Sequence, residues 1–338
     1  MANLIDVVTA YLRTAEGREV NLKDIRAYLH IATGSEDDTN LRKLMSRTLI
    51  DKRIVSKPIK RPDGIYKVIK QVSPVQVFNA NRQRRPPVTL YFPRDFNTGV
   101  EMSFAEHIIL REGDLITIGG VKSTGKTHLC LNFCAENIDS HPVLMGNEYT
   151  VEVDSIYEPA PRFLARLDKM AEWCEWVDKE GNDKFTLLPV REDYAEHIIS
   201  NRLNLIDWIN LDANSLYDIG KVLEAIKAAN GRGITIAILQ KGEGAINPRG
   251  GQFVRDFSDL EILLDPFGKN PHDVLLTIKG VKESTKPVIG HTYAYTIGES
   301  GTKMFNFREV KKCKGCMGQG IWKGHECEEC LGTGFTDK

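Results

Sequence analysis

The 338-residue sequence predicts an α/β protein built on a mostly parallel sheet, with a small helical domain before it and a cysteine module after it. Three observations predict this. Between residues 101 and 308, strand-sized apolar runs alternate with helical stretches, the pattern of a sheet covered on both faces. A glycine-rich turn at 120–127 sits between one such run and a helical stretch. Four cysteines in two like-spaced pairs follow the last apolar run.

Composition sets the frame. Hydrophobic residues make up 41% and charged residues 27%, as in ordinary soluble domains. The longest apolar runs are too short for a bilayer span, so no membrane role is expected. The start, Met1-Ala2-Asn3-Leu4-Ile5-Asp6, has no basic run leading into an apolar one, so a cytoplasmic or nucleoid-associated protein is expected rather than a secreted one. In a reducing compartment the seven cysteines read as thiols or metal ligands. Net charge is −1, but it is unevenly spread. Residues 1–95 hold 18 Lys and Arg against 10 Asp and Glu, and the remainder holds 27 against 36. A basic head on an acidic body suits a polyanionic partner.

Residues 1–70 read as three helices and a hairpin. The first helix covers Leu4–Arg13. The second follows Asn21, a helix-capping residue, and lines up Ile25, Tyr28 and Leu29. The third is expected over 39–51, with Leu41, Leu44, Met45 and Leu49 on one face. Arg42, Lys43 and Arg47 fall on another. Two short strands follow, joined by Arg61-Pro62-Asp63-Gly64. This pattern resembles a winged helix-turn-helix domain. The resemblance implies a recognition helix in the major groove and a wing on the backbone, with Arg42, Lys43, Arg47, Lys57, Lys60 and Arg61 as DNA contacts. Winged helices also dock proteins. Residues 71–100, with their prolines and Arg82-Gln83-Arg84-Arg85-Pro86-Pro87, read as a linker.

The core, 101–308, offers strands at 115–119, 143–147, 185–188, 203–209, 234–240, 260–264, 274–279 and 291–297, the last two as an antiparallel addition. After the first comes Gly120-Val121-Lys122-Ser123-Thr124-Gly125-Lys126-Thr127, and a helix continues through His128-Leu129-Cys130. Gly-x4-Gly-Lys-Thr between strand and helix is a phosphate cradle. Its glycines let backbone N–H groups wrap the phosphates, and the helix N-terminus adds positive potential. Lys126 is matched to the β- and γ-phosphates of ATP, and the Thr127 hydroxyl to magnesium. Cys130, Cys134 and Cys174 read as core residues.

With Gly113-Asp114-Leu115-Ile116-Thr117-Ile118-Gly119 before it, this segment resembles the RecA/DnaB class of ATPases. The resemblance implies further roles. Glu148, at the end of the next strand, would be the general base. Asp207 would orient magnesium, with Asp212 as the competing choice. Gln240 would sense the γ-phosphate and relay it to the glycine-rich loop 241–251, where Arg249 and Arg255 would meet DNA. Lys279, with Lys282 beside it, would enter a neighbour's nucleotide site, which implies a homo-oligomeric ring or filament. The spacing of these two lysines departs by one residue from the family pattern.

The tail, 309–338, repeats Cys-x-x-Cys-x-Gly-x-Gly at Cys313/Cys316 and Cys327/Cys330. Four thiolates at this spacing close a tetrahedral zinc site. The repeat resembles the zinc module of DnaJ chaperones, which carries four copies. A protein partner and nucleic acid are both open for this tail. The chain as a whole therefore reads as an ATP-dependent DNA-binding motor or remodeller, helicase- or recombinase-like, in replication or recombination. The alternatives are a recombinase-like or loader ATPase that does not unwind DNA, and an ATP-switched DNA-binding regulator.

Overall fold

The computed structural model describes residues 3–75, 77–78, 85–146, 148–210 and 218–338. The chain divides into two compact units, Met1–Arg84 and Arg85–Lys338.

The first unit runs α1 (Leu4–Arg13), β1 (Glu19–Asn21), α2 (Leu22–Leu29), α3 (Glu36–Lys43), a wide helical turn (Leu44–Thr48), α4 (Leu49–Asp51), β2 (Val55–Ser56) and β3 (Ile65–Val68). Asn3, Asn21 and Ser35 cap the three main helices through their side chains. Because Ser35 accepts from the Asp38 N–H, α3 starts at Glu36, three residues before the expected position. The expected hairpin is a three-stranded antiparallel sheet in the order β1-β3-β2. Val8, Leu12, Ile25, Leu41, Met45, Leu49 and Tyr66 form its core. In the first turn of α3, buried Asp38 accepts from Arg26 Nε at 2.6 Å and from the Gly34 N–H at 2.9 Å.

The second unit follows as β4 (Leu115–Gly120), α5 (Lys126–Glu136), β5 (Val143–Met145), β6 (Thr150–Val153), β7 (Ile156–Pro159), α6 (Pro161–Met170), β8 (Thr186–Leu188) and β9 (Leu203–Ile206). It continues with α7 (Ile219–Ala229), β10 (Ile234–Gln240), α8 (Gln252–Phe257), β11 (Leu260–Pro266), β12 (Asp273–Val281), β13 (Thr292–Gly298) and β14 (Lys303–Lys312). The tail supplies β15 (Ile321–Trp322), β16 (His325–Glu326) and β17 (Phe335–Asp337).

The main sheet has the order β17-β14-β13-β12-β11-β4-β10-β9-β5-β8. From β8 to β11 every pairing is parallel, and from β11 to β17 every pairing is antiparallel. The central strands β4 and β10 are buried almost throughout, as continuous apolar runs between helical layers require. The phosphate cradle therefore opens at the C-terminal ends of the central parallel strands, where open α/β sheets bind ligands.

Several expectations need correction. Within the expected linker 71–100, residues from Arg85 onward belong to the second unit, where Phe92 packs edge-on against Phe104 and Phe133. The strand expected to reach 147 ends at Met145, and the one expected to reach 209 ends at Ile206. Asn147 and Asp212 lie outside the described residues. The tail is tied to the core, since β17 pairs with β14 and Phe335 packs with Phe267, Leu275 and Val310.

Candidate nucleotide and metal sites

The cradle is built by strand register. Gly120 ends β4, facing Gln240 on β10 and Leu264 on β11. There is no room for a side chain here, since a Cβ on Gly120 would lie 2.8 Å from Thr124 Oγ1 and 3.0 Å from Lys126 Cγ. Ser123 and Gly125 take left-handed backbone angles, φ 67° and 80°, which turn the chain into α5. A Cβ on Gly125 would strike Ile297 of β13. The Thr124 hydroxyl donates to the Val121 carbonyl at 2.8 Å, and Lys126 Nζ donates to the same oxygen at 2.6 Å. The free N–H groups of the first turn of α5 thus face the loop.

The acidic side forms where β9 and β5 end. The Asp207 N–H donates to the Met145 carbonyl at 2.7 Å, and a Cβ on Gly146 would strike the Asp207 carbonyl oxygen. Asp207 is buried. Tyr149 donates its hydroxyl to Asp207 Oδ2 at 2.6 Å, while Oδ1 has no hydrogen-bond partner among the described residues. The Asp207–Trp208 peptide is cis. Burial pushes the Asp207 carboxyl up and the Glu148 charge adds to this; the Tyr149 and Thr127 hydroxyls and the Lys126 ammonium oppose them. Lys126 is itself lowered by burial, against the pull of Asp207 and Glu148. The buried, orphaned Oδ1, with Thr127 near enough to act on the Asp207 carboxyl, fits the coordination shell of a magnesium ion. Asp207 and Thr127 are the residues that would hold it.

Lys126, Thr127, Glu148 and Gln240 line one cavity of about 950 Å³. Its wall also includes Lys122, Ser123, Gly125 and His128 of the expected cradle, whereas Gly120, Val121 and Thr124 lie behind it. His128 is buried; its Nδ1 donates to the Gly301 carbonyl at 2.9 Å. Burial holds its imidazole down to about 4, so the ring is neutral at pH 7. Three arginines that the sequence did not assign to this site also line the cavity: Arg162 and Arg166, one turn apart on α6, and Arg249. Arg249, expected at DNA, lines the cavity instead of being set apart from it, and its N–H donates to the Gln240 carbonyl at the end of β10 at 2.9 Å. Arg255, also expected at DNA, is half-exposed and pairs with buried Glu261 at 3.2 Å. Lys282 pairs with Asp259 at 2.7 Å within its own chain. Lys279 lies on β12 and does not line the cavity of its own chain.

In the first unit Arg42, Lys43, Arg47, Lys57, Lys60 and Arg61 are all exposed. Arg42 leans on Asp38 at 3.4 Å, Lys57 on Asp63 at 3.5 Å and Arg61 on Glu19 at 3.3 Å. Lys43, Arg47 and Lys60 form no ion pair among the described residues.

In the tail the Sγ atoms of Cys313, Cys316, Cys327 and Cys330 all lie within 4.8 Å of one another, and all four residues are buried. The Gly320 N–H donates to Cys316 Sγ at 3.2 Å and the Gly334 N–H to Cys330 Sγ at 3.3 Å, the same contact in each repeat. Burial opposes ionisation of Cys316, but the Gly320 and Gly318 N–H groups and the neighbouring sulfurs bring it below the ordinary thiol range. Four gathered sulfurs with N–H donors aimed at them fit a tetrahedral zinc ion.

No protein-family model matches the chain, and no curated protein matches it. Among solved structures, the RadB recombinase aligns over 58% of this chain and 91% of that chain at 16% identity, with a TM-score of 0.40. A likeness of that size carries no weight for fold or function. No helix among the described residues is long and apolar enough to cross a membrane.

Proposed function

We propose that this chain is a magnesium-dependent ATPase of the RecA/DnaB class whose hydrolysis serves DNA, as a motor or remodeller in replication or recombination. One observation carries the reading. Lys126, Thr127, Glu148 and Gln240 converge on one cavity.

The chemistry follows from those groups. The loop N–H groups and the first turn of α5 hold the phosphates, and Lys126 neutralises the β- and γ-oxygens. Thr127 and Asp207 would hold magnesium, which would supply neutralising charge for the phosphates. Glu148 is exposed on the cavity wall, free to orient a water in line with the γ-phosphorus and take its proton. Gln240 stands beside Gly120 and reports the γ-phosphate to the loop that carries Arg249. Arg162, Arg166 and Arg249 bring positive charge from the same chain to the transferring phosphoryl group. Lys279, outside its own cavity, is left for the cavity of a neighbour in a homo-oligomeric ring or filament.

The helices and small antiparallel sheet of the first unit support the winged-helix reading, with Lys43, Arg47 and Lys60 as the groups that would meet phosphates. DNA is therefore the proposed partner, in the cytoplasm or on the nucleoid.

The test is ATP turnover with no DNA, with single strands and with duplex. Stimulation by DNA is expected, and DNA-independent turnover would overturn the motor reading. Specific duplex binding gated by ATP, without stimulated turnover, would favour a regulator. Lys126→Ala should lose nucleotide binding.

A further inference from the structure

Residues 310–325 of the tail hold four lysines and no acidic residue. Lys311, Lys312, Lys314 and Lys323 are all exposed, and none forms an ion pair among the described residues. Of the acids that follow, Glu326 pairs with Lys269, Glu329 accepts from the Gly315 N–H at 3.0 Å and Asp337 pairs with Arg308, while Glu328 stays exposed.

The same stretch exposes large apolar groups. Trp322 is 54% exposed, beside Ile321 at 58%, on the short hairpin β15–β16. The turn Lys323-Gly324, with φ 50° and 83°, fixes the hairpin. The Cys327 N–H donates to the Gly320 carbonyl at 2.9 Å, which ties the hairpin to the cysteine cluster. Lys323 Nζ lies 5.8 Å from the Trp322 ring centre. Lys312 runs along the other knuckle, where a Cβ on Gly318 would touch its Cγ and Cδ at 3.4 and 3.3 Å. An exposed indole with Lys323 beside it thus sits on the hairpin, and Lys312 and Lys314 belong to the adjoining cysteine knuckle.

We infer that this face of the cysteine module binds single-stranded nucleic acid, one base stacking on Trp322 while Lys312, Lys314 and Lys323 meet the adjacent phosphates. Charge favours this occupant over a protein. Protein interface cores are depleted in lysine because its ammonium is costly to strip of water, whereas phosphates exchange condensed counterions for it. Stacking favours a single strand over a duplex, since only an unpaired base offers its face. The inference concerns a surface separate from the nucleotide cavity and needs no hydrolysis.

The experiment uses the full chain with zinc content verified, without ATP, and follows anisotropy of a labelled oligothymidine and of a labelled duplex across a salt series. Trp322→Ala should weaken oligothymidine binding about tenfold or more, with Trp322→Phe recovering most of it. Lys314→Ala with Lys323→Ala should flatten the slope of log K against log salt by about 1.4. Duplex affinity, zinc content and turnover without DNA should stay as in the parent chain. Parent-like oligothymidine affinity in these variants would overturn the inference and leave protein docking to the tail. An equal loss on duplex would overturn the stacking role. Either failure would leave DNA-stimulated turnover, and with it the ATPase proposal, untouched.

Discussion

His128 shows how much one side chain can report about the site. Its ring is buried on the first turn of α5, with Nδ1 committed to Gly301, and burial holds it near 4 rather than its ordinary 6.5. The unfolded chain takes up a proton that the folded chain refuses. Stability from this residue is therefore complete above pH 6.5 and is lost as pH falls towards 4, by roughly 3 kcal/mol over the window. Calorimetry between pH 7 and 4.5 should show the second unit's Tm falling more steeply in the parent chain than in His128→Gln; parallel curves would contradict the burial argument. In the first unit Asp38 sits low, at about 2: the Gly34 N–H is the main cause, burial opposes it, and Arg26 and Arg42 assist. Its contribution is present above about 3.8 and disappears as pH drops towards 2. Lys126 and Thr127 were legible in the sequence because a phosphate cradle needs their types at that spacing. Arg162 and Arg166 were not, since two cations one turn apart read as a solvated helix face until the fold turns them onto a cavity.

Among the elements, the parallel strands β4, β5, β9 and β10 were readable because a strand covered on both faces must be apolar throughout. β14 escaped notice. Its ten residues alternate in burial and carry Arg308, Lys311 and Lys312, so their composition resembles a loop. β1, three residues long, has too short a pattern to register. A close backbone approach joins the residues that follow β5 and β9. A side chain on Gly146 would meet both the Asp207 carbonyl and the Tyr149 ring, and a backbone carbonyl cannot step aside. Gly146→Ala should cost about 1–3 kcal/mol and reduce turnover by displacing Asp207. Thermal denaturation and a magnesium titration of turnover check it; an unchanged Tm with normal magnesium dependence would contradict the packing.

At the scale of the molecule, a basic first unit, a mostly parallel sheet and a cysteine module share one chain. The cysteine spacing made the metal site legible, but not the anchoring of the tail by β17 on β14. Metal loss should therefore reach the sheet edge. Metal analysis should find about one zinc per chain. Chelation, or replacement of all four cysteines by serine, should lower the Tm of the second unit; a chain that is zinc-free and equally stable would contradict the site. The central claim is that Glu148 activates water for a nucleotide held by Lys126. Its most direct test is single-turnover ATP hydrolysis by Glu148→Gln, with bound nucleotide measured in the same samples. Nucleotide should remain bound at the parent level while the hydrolysis rate falls by about 10²–10⁴-fold. Hydrolysis at the parent rate, with nucleotide bound, would show that another group serves as the base.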